Sequence, residues 1–237
     1  MFDFLKKNLT DIFHHNEDIR TIALFGRSAK NNNYCAAGID LKSGKYVRPI
    51  SDIPGLKEAV RKVDYTDFDG KEFEDFDVVR IKFKDKLPAN PYQPENLVYD
   101  ESFHWQKIGT WTLEKMMGLH PLDERENIFY NPDRSVDPNY ILKQPVRESL
   151  LFTHIQNVFI RVEIYDGYPK FYAHFNYKGR RYYRFSVGDI NTRKFFRNHA
   201  AGEYHYKDNA VAILSLTNPY SFGGNPSKCY KMLAQIF

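Results

Sequence analysis

The fold is decided by Val158-Phe159-Ile160-Arg161-Val162-Glu163-Ile164-Tyr165-Asp166-Gly167-Tyr168-Pro169-Lys170-Phe171-Tyr172-Ala173-His174-Phe175-Asn176-Tyr177-Lys178-Gly179-Arg180-Arg181-Tyr182-Tyr183-Arg184-Phe185-Ser186-Val187. From Val158 to Tyr165 apolar side chains recur at every second position, the period of a half-buried strand. Asp166-Gly167 is a hairpin turn. Lys170–Tyr177 and Arg181–Val187 flank a second turn at Lys178-Gly179-Arg180. Ser149–Ile155 precedes this unit, and Ala210–Leu216 and Cys229–Phe237 close it. Short strands joined by glycine-containing turns predict an antiparallel sandwich or barrel.

The preceding half reads similarly but more loosely. Strand-like runs occupy Thr21–Arg27, Tyr34–Leu41 and Tyr46–Ile50, the last two joined by the turn Lys42-Ser43-Gly44-Lys45. Ser28–Asn33 is a polar, Asn-rich loop. Residues 54–63 suggest a short helix, and the acidic run 64–77 a solvated loop. Asp77–Asp85 alternates as a half-exposed strand, and Asn96–Tyr99 is another. Thr112–Leu119 suggests a helix. Residues 121–147, with four prolines and many charges, read as a connection. Phe2, Leu5, Leu9, Ile12 and Phe13 predict an amphipathic helix within residues 1–17.

Composition excludes several classes. The 237 residues are 42% hydrophobic and 16% aromatic, enough to bury a core. No window approaches the ~18 uncharged apolar residues of a membrane span. Asp3, Lys6 and Lys7 break any secretory-signal pattern. Cys35 and Cys229 are too few for a disulfide scaffold. A reduced, cytoplasmic protein without a membrane is expected.

Charge and aromatic rings are unevenly divided. Residues 149–237 hold 12 Lys/Arg against 5 Asp/Glu, a net +7, whereas residues 1–148 net −3. The last 89 residues also hold 19 of the 38 aromatic side chains. A basic, aromatic half suits a polyanion-binding module. Strict alternation puts Tyr183, Phe185 and Val187 inside, and Phe159, Arg161, Tyr172, His174, Tyr182 and Arg184 on the outer face. Rings stack on bases, and guanidinium groups meet phosphates. Lys178, Arg180, Arg181, Arg193, Lys194 and Arg197 add positive charge nearby. The bland alternative is that Tyr172 and Tyr182 pack beneath a neighbouring domain.

Other chemistry is thin. No histidine stands in a zinc-binding pattern, so no metal or other cofactor is expected. Asp40-Leu41-Lys42 resembles the Asp-x-Lys tail of restriction-type nucleases, although Asp40 equally suits the start of a hairpin turn. No nucleophile elbow or phosphate loop is present. No catalytic residue is assigned.

Ordered stretches resemble a known family. They are Cys35-Ala36-Ala37-Gly38-Ile39-Asp40 with Gly44-Lys45-Tyr46-Val47-Arg48-Pro49-Ile50-Ser51, then Gln93-Pro94-Glu95-Asn96. Phe175–Tyr182 with Val187 and Asp189 follows, then Leu214-Ser215-Leu216 and Tyr230–Ala234. Together, from about Arg20 to Phe237, they look like the dual OB-containing domain. Gly188 departs from the pattern, which would place Thr directly before Asp189. The resemblance implies an all-β fold with minor α: two tandem five-stranded OB-like barrels. Residues 18–120 would form the first barrel, 121–147 the connection and 148–237 the second barrel, after the helix at 1–17. It also implies nucleic-acid recognition in prokaryotic conflict or defence systems, without enzymatic activity. Arg48 and the Ser28–Asn33 loop would lie on the binding face of the first barrel. Arg48 alternatively bridges the barrels toward Asp40 or Glu95.

The expected function is therefore non-catalytic binding of single-stranded or structured RNA or DNA. Lys178, Arg180, Arg181, Arg184, Arg161 and Arg48 would supply charge, and Tyr172, Tyr182 and His174 rings. The alternatives are a protein-interaction adaptor in a defence assembly and, less favoured, a metal-dependent nuclease around Asp40 and Lys42.

Overall fold

The computed structural model describes residues 18–30, 32–85, 90–145, 147–221 and 223–237. The helix expected within residues 1–17 lies outside the described residues. In chain order the elements are β1 (Asp18–Lys30), β2 (Asn33–Asp40), β3 (Tyr46–Ile50), β4 (Asp77–Phe83), β5 (Asn96–Val98) and β6 (Gln106–Thr110). Next come α1 (Leu113–Leu119), β7 (Ser135–Val136), α2 (Pro138–Leu142), β8 (Leu150–Tyr165), β9 (Tyr168–Tyr177) and β10 (Arg180–Val187). The chain ends with α3 (Ile190–Phe196), β11 (Gly202–Leu216) and β12 (Cys229–Ile236). Among the described residues no helix is long and apolar enough to cross a membrane.

The strands form two sheets with one shared topology. In the first, β1 pairs with β2 and β4, and β3 pairs with β2 and runs parallel to β5. A bridge from Phe83 to Tyr99 closes that sheet into a barrel. In the second, β8 pairs with β9 and β11, β9 with β10, and β11 with β12. Parallel pairing of Ser186 and Val187 with Met232 and Leu233 closes it. Both barrels thus run first–second–third–fifth–fourth and back to the first strand, the expected dual OB-like, all-β architecture. Closure pairs most of the strand edges that would otherwise expose unpaired backbone, leaving β6 outermost against β4.

The opening strands are longer than alternation predicted. β8 runs unbroken through Asn157, which adopts a φ of +49° at a register shift between Gln156 and Phe159. A bulge bends a strand without ending it. β11 likewise begins at Gly202, well before the expected Ala210. Helix α3 and edge strand β6 escaped the sequence reading. Residues 54–63 form turns instead of the expected helix, with a single 3-10 turn at Lys62–Asp64. The acidic run 64–77 is solvated over 68–72 and at Glu74, but it also inserts Tyr65, Phe73 and Asp77 into the interior. The segment 121–147 likewise gives Ile128, Phe129, Val136 and Ile141 to the second core.

Three apolar clusters hold the molecule together. One fills the first barrel around Tyr65, Phe73, Tyr99 and Trp105. A second fills the other barrel around Phe175, Tyr182, Phe185 and Leu233. The third spans both, joining Phe25, Ile39 and Met116 to Phe152 and Ile213. Each fully buried side chain of this size contributes roughly 1.5–3 kcal/mol.

The family signatures fasten this junction. The Arg48 guanidinium donates to Ser149 Oγ at 3.0 Å. Glu95 accepts from Ser149 N at 2.6 Å, Ser149 Oγ at 2.8 Å and Leu150 N at 3.2 Å. Gln93 Nε2 donates to the Leu216 carbonyl at 3.0 Å. Asp189 caps α3 through Thr192 N at 2.8 Å and also accepts from Ile236 N at 3.0 Å. Beside it, a Cβ on Gly188 would stand 3.1 Å from Ser28 Cβ, so the barrels approach closely there. Gly26, at a φ of +118°, leaves room for Asp75, whose Oδ2 accepts from Gln235 Nε2 at 2.8 Å.

Candidate nucleic-acid interface

A cleft of about 1330 Å³ opens between the barrels. Its second-barrel wall comes from β9, β10 and the loop joining β11 to β12, with Tyr172, Arg184, Ser186 and Tyr220 among its residues. In OB folds the second and third strands and their adjoining loops make the ligand face. The opposite wall is the end of β1, Phe25–Lys30, with Cys35, Ala36 and Ala37 of β2. The floor is apolar, with Leu150, Ile213, Leu216 and Met232.

Cations ring this floor. Arg27, Lys30 and Lys57 come from the first barrel, Arg134 from the connection, and Lys170 and Arg184 from the second barrel. Glu58 is the one acidic residue lining the cleft among the described residues. Lys57, Arg134 and Lys170 have no carboxylate within 4.0 Å among the described residues. Lys30 lies 3.9 Å from Glu58, and Arg27 is held by Glu72 at 2.6 Å. Lys231 also lines the cleft, but its ammonium is spent on the Asn131 carbonyl and on Asn131 Oδ1 at 2.9 Å. Burial pushes that lysine down to about 7.

Arg184 is the best organised of the cleft cations. Its guanidinium lies 4.4 Å from the centroid of the Tyr172 ring, a cation–π contact. Glu163 accepts from both its terminal nitrogens, at 2.6 and 3.1 Å. Glu163 also accepts from Tyr165 Oη at 2.7 Å and Arg161 Nε at 2.9 Å. Arg184 foremost, with Tyr165 and Arg161, holds the Glu163 carboxyl down at about 2. Arg184 itself has a φ of +57°, set by the bulge in β10 between Tyr182 and Phe185.

That bulge corrects the alternation read from sequence. It inserts one residue, so Tyr182, Phe185 and Val187 all face the core. Tyr182 is 2% exposed and stacked against Phe175, while Tyr183 is 53% exposed. Tyr182 is therefore a core residue and offers no ring to a ligand. His174 is buried as well, with Nδ1 2.7 Å from Glu203. Burial lowers its pKa against the opposing pull of Glu203.

The remaining predicted residues scatter. Arg181 lies over Phe159 and Tyr183, at 5.6 and 5.1 Å, outside the cleft lining. Lys178 donates to the Glu124 carbonyl and Arg180 to Asn127 Oδ1 at 2.8 Å, both at the β9–β10 turn. Arg48 borders the cleft floor but is nine-tenths buried and bound to Ser149. It bridges the barrels, through Ser149 to Glu95 and not to Asp40. Asp40 caps its own turn, accepting from Lys42 N at 3.1 Å and Ser43 Oγ at 2.7 Å. Among the described residues no group of three or more His, Cys, Asp or Glu side chains could hold a metal ion.

The sequence reading missed Arg27, Lys30, Lys57, Arg134, Lys170 and Tyr220 as one constellation. Charge summed by halves hides them, because acidic residues elsewhere in the first half outweigh its cleft-facing cations. A partial signal was the polar stretch Ser28–Asn33: it reads as a loop, but Ser28–Lys30 continue β1 and place Lys30 at the cleft.

The chain belongs to the dual OB-containing domain family, whose model matches residues 20–236. No curated protein matches it. Among solved structures, one described as "Structural mimicry for functional antagonism" is 12% identical, covers 93% of this chain and 91% of its own, and has a TM-score of 0.32. Another, "Molecular basis for abrogation of activation of pro-inflammatory cytokines", is 12% identical over 93% of this chain and 92% of its own, with a TM-score of 0.29.

Proposed function

We propose that this protein binds single-stranded nucleic acid, RNA or DNA, in the cleft between its barrels, and performs no chemistry on it. The observation that carries this reading is the coincidence of three features in one groove. They are an OB ligand face, an apolar floor with Tyr172 and Tyr220 at its margin, and a ring of cations opposed by Glu58 alone among the described lining residues. Bases stack on rings while phosphates meet Lys and Arg, which is how sequence-tolerant single-strand grooves work. The prokaryotic conflict setting that the resemblance implied, and a cytoplasmic location, are part of the same proposal.

The test is fluorescence anisotropy with labelled twelve-nucleotide oligo-dT and oligo-U against a duplex of the same length. Single strands should bind more tightly than duplex. Affinity should fall with salt at a log–log slope of about −0.7 per phosphate contact. The double substitution Arg184→Glu/Lys170→Glu should cost more than about tenfold in affinity, the loss expected when charge-assisted contacts are reversed. Lys178→Glu/Arg180→Glu, outside the cleft lining, should cost less than about twofold, as for charges that meet no phosphate. Salt-independent affinity that the cleft substitutions leave intact would overturn the reading. Capture of one stoichiometric protein in place of nucleic acid would favour the adaptor alternative.

A further inference from the structure

The cleft does not end the cationic track. Ser28, which lines the cleft, bridges to Asp189, and the residues that follow each side of this saddle in sequence, Ala29 and Ile190, border a smaller cavity of about 310 Å³. Ala29 lines both spaces. The smaller cavity is bordered by Asn32, Tyr34, Lys62, Ile190 and Arg193, so it too draws on both barrels. The described residues lining it include no carboxylate. Lys62 Nζ lies 5.7 Å from the Tyr34 ring centroid, and the Arg193 guanidinium 5.9 Å from that of Phe171. Neither cation has a carboxylate within 4.0 Å among the described residues. The saddle itself presents no free negative charge, because the Asp189 carboxylate is turned inward onto Thr192 N and Ile236 N.

We infer that the smaller cavity is a second phosphate-binding subsite, reached by a polynucleotide that leaves the cleft and crosses the Ser28–Asp189 saddle. The inference rests on the cleft reading above and sharpens it. The ligand class is then a continuous strand engaging both cavities, not a mononucleotide or a short oligonucleotide filling the cleft alone. A neutral saddle between two cationic basins suits a polyanion, whose successive phosphates need not all be contacted.

The experiment compares labelled oligo-U of four and of twelve nucleotides on the full chain, with wild type and Lys62→Gln/Arg193→Gln. Wild type should bind the longer strand more tightly. The substitutions should lower affinity for the twelve-nucleotide strand by about tenfold and shrink its salt slope by about 1 to 2. Affinity for the four-nucleotide strand should stay unchanged. A second variant, Lys62→Glu/Arg193→Glu, should deepen the loss on the long strand only, with melting curves confirming that each variant folds. Equal losses on both lengths, or no loss on either, would overturn the second subsite while leaving the cleft reading standing. Failure of wild type to bind either strand would overturn both.

Discussion

The two barrels share a strand order yet spend the same face differently. In the first, the third strand is given over to the junction: Tyr46 Oη accepts from Phe152 N at 2.9 Å, and Arg48 is bonded to Ser149. In the second, the equivalent strand β10 leaves Arg184 and Ser186 on the cleft wall. Each strand carries an arginine on this face. Arg48 is 9% exposed, with neutral Ser149 between it and Glu95, whereas the Arg184 side chain is 39% exposed and stacked on Tyr172. One fold thus supplies a docking face and an open face that lines the cleft, and the choice follows from what lies opposite the third strand.

The largest effect that tests this contrast is on the core of the second barrel. Tyr182→Ala should destabilise the protein by about 3–5 kcal/mol, as for other buried aromatic truncations. Chemical denaturation measures it, and a change below about 1 kcal/mol would place the ring outside the core. Tyr172→Ala should do the reverse, leaving stability nearly unchanged and weakening single-strand binding by about 1–3 kcal/mol.

Next in size is the junction. Glu95→Ala removes three hydrogen bonds at Ser149 and Leu150 and should cost about 2–4 kcal/mol of stability. A double-mutant cycle with Ser149→Ala should show strong coupling, and additive losses would mean that the two residues do not act together.

A smaller effect is set by pH. Asp75 is pushed up to about 6, first by burial and then by the nearby Asp189 carboxylate, partly offset by Gln235 and Arg27. A carboxyl raised on folding stabilises below its unfolded value near 3.8, and that contribution is lost as pH rises through about 6. Asp75→Asn should therefore gain about 1–3 kcal/mol at pH 8 relative to wild type, and little or nothing at pH 3. Thermal melts across that range measure the difference, and a constant offset at every pH would contradict it.

The architecture was largely legible because alternation and turn chemistry are local. β8 to β10 announce themselves through Val158–Val187, and the helix expected over Thr112–Leu119 is α1, with Thr112 as its N-cap. Bulges are harder to read. One extra residue in β10 reverses the facing of Tyr182 and Tyr183, and no local pattern marks it. The long reach of β11 was hidden for a related reason, since residues 202–209 are largely polar and exposed. The site was half legible. Tyr172 and Arg184 followed from the pattern, whereas Lys57 and Arg134 reach the cleft only because the barrels meet as they do. The junction was foreshadowed by the signatures themselves, although Ser149 as the shared partner could not be read from them.

The apolar cluster that spans both barrels carries a practical consequence. Phe25 and Ile39 belong to one half, Phe152 and Ile213 to the other, and all four are at most 1% exposed. Severing the chain within residues 121–147 would leave each half with a greasy flank and an orphaned latch. Isolated halves should then clump or cling to chaperones, so biochemical work on either alone would report on that adhesive wound and not on ligand recognition.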